Sequence, residues 1–165
     1  MLLHHRYPNL GTPDHYSINR EDLFICALYE PADKLRMIRP LKEKGAKFVN
    51  FIHSSVHISP HSSIGQGTVI FPYLTINANA RIGEFCTMLS GIGHDSTFGD
   101  FSTVGRGSDI TGHVSVGTSV KIGHGSVIIP EKQVGNNAVL KDFCIAITKV
   151  KENTVVSGNP ARREK

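Results

Sequence analysis

From Ile52 onward every sixth residue is apolar: Ile52, Ile58, Ile64, Ile70, Ile76, Ile82 and Met88. After one step of four the series resumes at Ile92 and runs through Phe98, Val104, Ile110, Val116, Ile122, Ile128, Val134 and Leu140 without a polar interruption. Four residues after these anchors stand mostly small side chains, among them Thr68, Ala80, Cys86, Ser96, Ser102, Ser108, Ser126, Ala138 and Cys144. Directly after them fall Gly65, Gly83, Gly93, Gly99, Gly105, Gly117, Gly123 and Gly135, half of the 16 glycines. Neither a helical repeat nor plain strand alternation reproduces this pattern, whereas a hexapeptide period predicts a parallel β-helix. Each anchor points into a narrow prism, the small residue shares the interior near a corner, and the glycine eases the turn because it has no Cβ. Successive coils stack at the ordinary strand spacing of about 4.8 Å.

The flanks lack the period. Residues 1–20 give no regular pattern. Residues 21–51 read as a small βαβ unit, with a strand over Asp22–Leu28, a basic amphipathic helix over Ala32–Gly45 and a second strand from Lys47. The repeat occupies 52–148, and 149–165 form a strand and basic tail that closes in the turn signal Gly158-Asn159-Pro160.

A prism that takes one large side chain per rung suits a chain of 165 residues with 39% hydrophobic residues, 7% aromatics and no Trp. The net charge of +4 is modest, and the basic residues gather at the two ends without interleaved aromatics, so no nucleic-acid partner is expected. No apolar run is long enough to span a bilayer and Met1–Pro8 has no apolar leader core, so the expectation is a cytoplasmic protein without a membrane partner. Three widely spaced cysteines, Cys26, Cys86 and Cys144, read as reduced structural thiols.

The Ile-Gly and Val-Gly rungs resemble the left-handed β-helix of the hexapeptide-repeat acyltransferases. The segments Ile52-His-Ser-Ser-Val-His-Ile-Ser-Pro and Gly91-Ile-Gly-His-Asp-Ser-Thr-Phe-Gly-Asp-Phe, with the Gly-Asn-Pro tail, narrow this to the group of sialic acid O-acetyltransferases and UDP-amino-sugar N-acetyltransferases. The resemblance implies left-handed coils of three rungs each and a homotrimer with active sites between subunits. It also implies direct transfer of an acetyl group from acetyl-CoA to an amine or hydroxyl of a sugar or nucleotide sugar, with no metal. Relatives begin with a complete Rossmann-like sugar-binding domain, of which residues 21–51 resemble the closing portion. Thr103 stands where many relatives carry a second histidine.

Acetyl transfer needs a base that takes a proton from the attacking atom near neutral pH, work suited to imidazole. His94 lies two residues after the anchor Ile92, beside the short step. The resemblance implies His94 as that base and Asp95 as its acidic companion. It maps Gly112, one full coil on, to a backbone position near the thioester. Lys149, Lys151, Arg162 and Arg163 are candidates to meet coenzyme A phosphates through charge-assisted hydrogen bonds. Two other readings remain at this stage: a scaffold that keeps the fold without catalysis, and a zinc-dependent γ-class carbonic anhydrase. Nine histidines invite the second, but the spacing of His94, His113 and His124 lacks that family's close histidine pair.

Overall fold

The computed structural model describes residues 8–164. The expectation for the irregular N-terminal segment therefore lies partly outside the described residues. From residue 51 the chain winds into a three-faced prism whose strands are two residues long, each holding an anchor and the outward residue before it, except the three-residue Val155–Ser157. The first face stacks Phe51–Ile52, Val69–Ile70, Thr87–Met88, Thr103–Val104, Lys121–Ile122, Val139–Leu140 and Val155–Ser157. The second stacks His57–Ile58 on Thr75–Ile76, then passes through Ile92 to Asp109–Ile110, Val127–Ile128 and Ile145–Ala146. The third runs from Ser63–Ile64 to Gln133–Val134 and ends on Val150. Neighbouring strands are parallel, and partners usually stand three rungs apart in the chain, as Thr97 does from Ser115. Anchors from Ile70 to Val156 form one buried cluster, and burying each Ile or Val contributes about 1.5–3 kcal/mol.

The short step from Met88 to Ile92 tightens one coil, pairing Ile76 with Ile92 and Arg81 with Thr97. A second short step, not evident from the repeat, separates Ala146 from Val150 and tightens another, pairing Val134 with Val150 and Val139 with Val155.

The structure corrects the role of the glycines that follow anchors. The corners turn two residues later, where Tyr73, Asn79, Phe85, Asp95, Phe101 and His113 have φ between 53° and 63°. The anchor-following glycines serve close packing instead. A Cβ on Gly65 would lie 2.5 Å from the Gly83 carbonyl carbon, and one on Gly93 would overlap the Thr111 carbonyl. The next coil's backbone occupies the space a side chain would need.

Inside the corners, hydroxyls link coil to coil. Ser90 Oγ donates to the Gly105 carbonyl and accepts from the Ser108 amide. Ser108 does the same with Gly123 and Ser126, and Ser126 with Lys141 and Cys144. Polar atoms in the prism interior are thereby paired, as burial requires.

The flanking unit comprises β1 (Leu23–Phe24), α1 (Pro31–Glu43) and β2 (Lys47–Phe48), with the strands parallel. Both strands are shorter than the sequence predicts. Pro31 begins the helix and Gly45, at φ 86°, ends it. Ile38, Leu41, Phe48 and Cys26 pack on Phe85 and Phe101, which project from the corner between the third and first faces. Lys34 is completely buried at this junction, and its Nζ donates to Thr103 Oγ1 at 2.7 Å, the Ser102 carbonyl at 3.1 Å and the Phe101 carbonyl at 3.4 Å. Thr103 Oγ1 in turn donates to the Tyr29 carbonyl. Desolvation pushes the Lys34 amine down from 10.5 to about 8. No helix among the described residues is long and apolar enough to cross a membrane.

Candidate active site

The corner between the second and third faces differs from the other two in what stands two residues after each anchor. At the other corners four amides at this position are capped by the side chain one coil up: Asp100 caps Glu84, His124 caps Arg106, Asn136 caps Thr118 and Asp142 caps His124. On this corner the same position holds Pro60, Ala78, His94, Gly112 and Pro130. Ala78, Gly112 and Pro130 offer no acceptor side chain, so the Gly112 amide has no such cap among the described residues. Within this column of residues, which Thr148 continues, His94 is the one ionisable side chain.

Its environment is built by neighbouring coils. His94 Nδ1 lies 2.8 Å from Asp95 Oδ2. Asp95 occupies the left-handed corner position at φ 56°, a conformation Asp tolerates better than most residues. The other carboxylate oxygen accepts from Asn79 Nδ2 at 2.9 Å, one coil below. These bonds, first from His94 and then from Asn79, hold the Asp95 carboxyl below its ordinary value. With Nδ1 engaged by the carboxylate, Nε2 is the nitrogen left for a reacting group. That atom lies over Gly112, where a Cβ would sit 2.5 Å from it. His113, on the next coil, packs edge-on against His94 with ring centroids 5.0 Å apart, and its Nε2 lies 3.9 Å from Asp95 Oδ2, the oxygen that holds His94.

The structure therefore brings His94, Asp95 and Gly112 together. Lys149 lies elsewhere, exposed beside Thr148, which sits three coils above His94 on the same corner, about 14 Å along the axis at the usual strand spacing. Arg162 and Arg163 form a strand antiparallel to Val156–Ser157 and extend the first face. Thr103 is buried under Lys34, away from this corner. Sequence reasoning missed Asn79 and His113 as members of the site. Their signal was the stacking register, since Asn79 and His113 take the same corner position as Asp95 one coil below and one coil above. Among the described residues, His94, Asp95 and His113 are also a group of donors that lie within 4.8 Å of one another and could hold an ion. A metal would compete with His94 for the Asp95 oxygen that holds it.

No protein-family model matches the chain. It is 30% identical over 149 residues to a GDP-perosamine N-acetyltransferase of Escherichia coli O157:H7, covering 86% of this chain and 67% of that one. A variant perosamine N-acetyltransferase from Caulobacter crescentus, solved with CoA and GDP-perosamine, superposes with a TM-score of 0.82 at 23% identity, over 87% of this chain and 69% of the other. The acetyltransferase domain of PglB from Neisseria gonorrhoeae FA1090, solved with acetyl coenzyme A, gives 0.80 at 20% identity, over 93% and 73%. The hexapeptide prism and the curated relative together make the chain a member of the hexapeptide-repeat acyltransferases, within the group of sugar acetyltransferases.

Proposed function

We propose that the protein transfers the acetyl group of acetyl-CoA directly to the amine of a nucleotide-linked amino sugar, with His94 as general base. The observation that carries this reading is the His94–Asp95 hydrogen bond at 2.8 Å, which leaves Nε2 over the bare Gly112 backbone. The kind of substrate follows from the relatives, one named a GDP-perosamine N-acetyltransferase and one solved with acetyl coenzyme A.

Asp95 accepts from Nδ1–H and fixes the tautomer that leaves Nε2 free to take a proton. His94 Nε2 removes that proton as the amine nitrogen bonds to the thioester carbonyl carbon. The Gly112 N–H, uncapped by a side chain, donates to the oxygen that becomes negative in the tetrahedral intermediate. When the carbon–sulfur bond breaks, the imidazolium returns the proton to the departing sulfur, which leaves as the CoA thiol. Lys149 meets a phosphate of the donor along the same corner, and Arg162 and Arg163, on the first face opposite that corner, serve a donor across the interface with a neighbouring subunit. His94 is exposed in a single chain, so we assign the second wall of the site to a neighbouring subunit of a homotrimer. The buried, unpaired thiols Cys26, Cys86 and Cys144 suit the reducing cytoplasm.

The test is release of CoA thiol from acetyl-CoA in the presence of GDP-perosamine. Turnover by the wild type and its loss in His94→Ala, with an unchanged circular dichroism spectrum, support the reading. Turnover retained in His94→Ala sinks the base assignment. No turnover with any amino-sugar nucleotide leaves the chain a scaffold.

A further inference from the structure

The tightened coil before His94 changes the surface beside it. On the second face the outward row reads Thr75, Gly91 and Asp109 on successive coils, because Ile92 bridges Ile76 below and Ile110 above. Gly91 has no side chain to fill the row, and its backbone sits so close to the Thr75 carbonyl that an added Cβ would lie 2.9 Å away. Thr75 and Asp109 thus flank a gap two strand spacings wide, about 10 Å. The result is a groove of about 390 Å³ lined by Tyr73, Thr75, Gly91, Gly93, Asp109 and Thr111. One end reaches Gly93 and Thr111, the residues directly before His94 and Gly112. The other end opens past Tyr73 and Gly91 into a second groove of about 470 Å³ bordered by Arg106.

We infer that this groove is the acceptor subsite on the prism, holding the hydroxylated ring of the amino sugar between Thr75 and Asp109 with its phosphates toward Arg106. The inference rests on the proposed acetyl transfer and adds where the acceptor lies. The lining chooses the ligand. An apolar acyl chain would leave the Asp109 carboxylate without a partner, and a phosphate beside it would be repelled. Sugar hydroxyls and an amine donate to it. Tyr73, 87% exposed, stands at the rim with its amide held by Ser55 Oγ at 2.8 Å, and offers an aromatic face to the ring's C–H groups. From Ser108, just past the corner that carries Arg106, to Gly112 the chain covers about 13 Å, at about 3.3 Å per residue. That span leaves room for a hexose between a guanidinium reaching inward from one end and His94 from the other.

The test separates acceptor from donor. Asp109→Ala and Arg106→Ala alter exposed side chains and should raise the KM for GDP-perosamine about tenfold or more, with the KM for acetyl-CoA within twofold of wild type. With the amino sugar offered free of its nucleotide, the Arg106→Ala effect should vanish and the Asp109→Ala effect should persist. A rise in the acetyl-CoA KM instead, or an unchanged acceptor KM in both variants, overturns the inference. Amide NMR shifts at Gly91, Gly93 and Asp109 on adding GDP-perosamine or dTDP-4-amino-4,6-dideoxyglucose decide it independently of turnover. Shifts at these amides without turnover would defeat the catalytic reading and keep the subsite, and unshifted amides with both compounds would defeat the subsite.

Discussion

Replacing Lys34 with Met removes the amine that joins α1 to the prism and leaves a chain of similar length in its place. At pH 7 the wild-type ammonium makes hydrogen bonds to Thr103, Ser102 and Phe101. Bonds to a charged group contribute about 1.5–3 kcal/mol each at best. They are opposed by desolvation, and holding the amine near 8 rather than 10.5 costs the protonated form about 3 kcal/mol, at about 1.36 kcal/mol per pH unit. An apolar chain of similar volume often replaces a buried charge with little net effect, so Lys34→Met should change stability by no more than about 2 kcal/mol at pH 7. The pH dependence distinguishes the contributions. Below pH 8 both folded and unfolded chains hold the proton. Between pH 8 and 10.5 the folded chain has lost it and the unfolded chain has not, so rising pH favours folding of the wild type. The stability of wild type minus that of Lys34→Met should therefore climb by about 3 kcal/mol across this window and be level on either side. Urea unfolding by circular dichroism at one protein concentration, from pH 7 to 11, measures it, and subtraction cancels the other titrating groups. A difference that stays flat from pH 8 to 10.5 would refute the reasoning, because it would mean the three acceptors keep the amine charged.

Three further outcomes follow from the site and the packing. Asp95→Asn should lower kcat by about 10²-fold or more while leaving the KM for acetyl-CoA near wild type, since it disturbs the tautomer of His94; steady-state CoA release checks this. Gly112→Ala places a methyl 2.5 Å from His94 Nε2 and should cost about 10²-fold in kcat by misplacing the base, with the melting temperature little changed. Gly65→Ala drives a methyl into the Gly83 backbone and should cost about 1–3 kcal/mol in urea unfolding. In the same assay its control, Gly107→Ala, meets no atom within 4 Å but keeps φ at 72°, so it should cost only about 1–2 kcal/mol.

The prism was legible because its anchors repeat locally. A residue such as Ile110 needs only the one fixed period to be placed indoors, and the same count put His94 at a corner. The pairing of Gly112 with His94 comes from the family resemblance, which supplies the coil of three rungs. Other features depend on what lies across the stack. Gly93 looks like a turning residue in the sequence, yet it is a contact residue because the Thr111 carbonyl occupies its missing side chain's place. The left-handed corners hold Phe85 and Phe101, bulky residues that nothing in the local sequence marks for that conformation, and which serve as the platform for α1. Lys34 reads as one more cation on a basic helix, and only the docked unit reveals that it is buried. The four-residue step before Ile92 is plain in the sequence, but the groove it opens depends on Thr75 and Asp109 from the coils on either side.

The hydroxyl seam Ser90–Ser108–Ser126 also bears on how the chain finds its winding. An apolar prism of nearly equivalent rungs invites mis-threading, in which a coil slips by one rung and still hides an Ile or Val. A coil slipped by less than a rung would set these serines opposite the wrong backbone atoms, and each buried hydroxyl left unmatched costs about 1–3 kcal/mol. A slip by a whole rung keeps the six-residue phase, and Ser96 and Ser102 at the other corners show that a hydroxyl in that phase finds an equivalent carbonyl on every rung. The seam therefore fixes the register within a rung and leaves the choice of rung to the two four-residue steps.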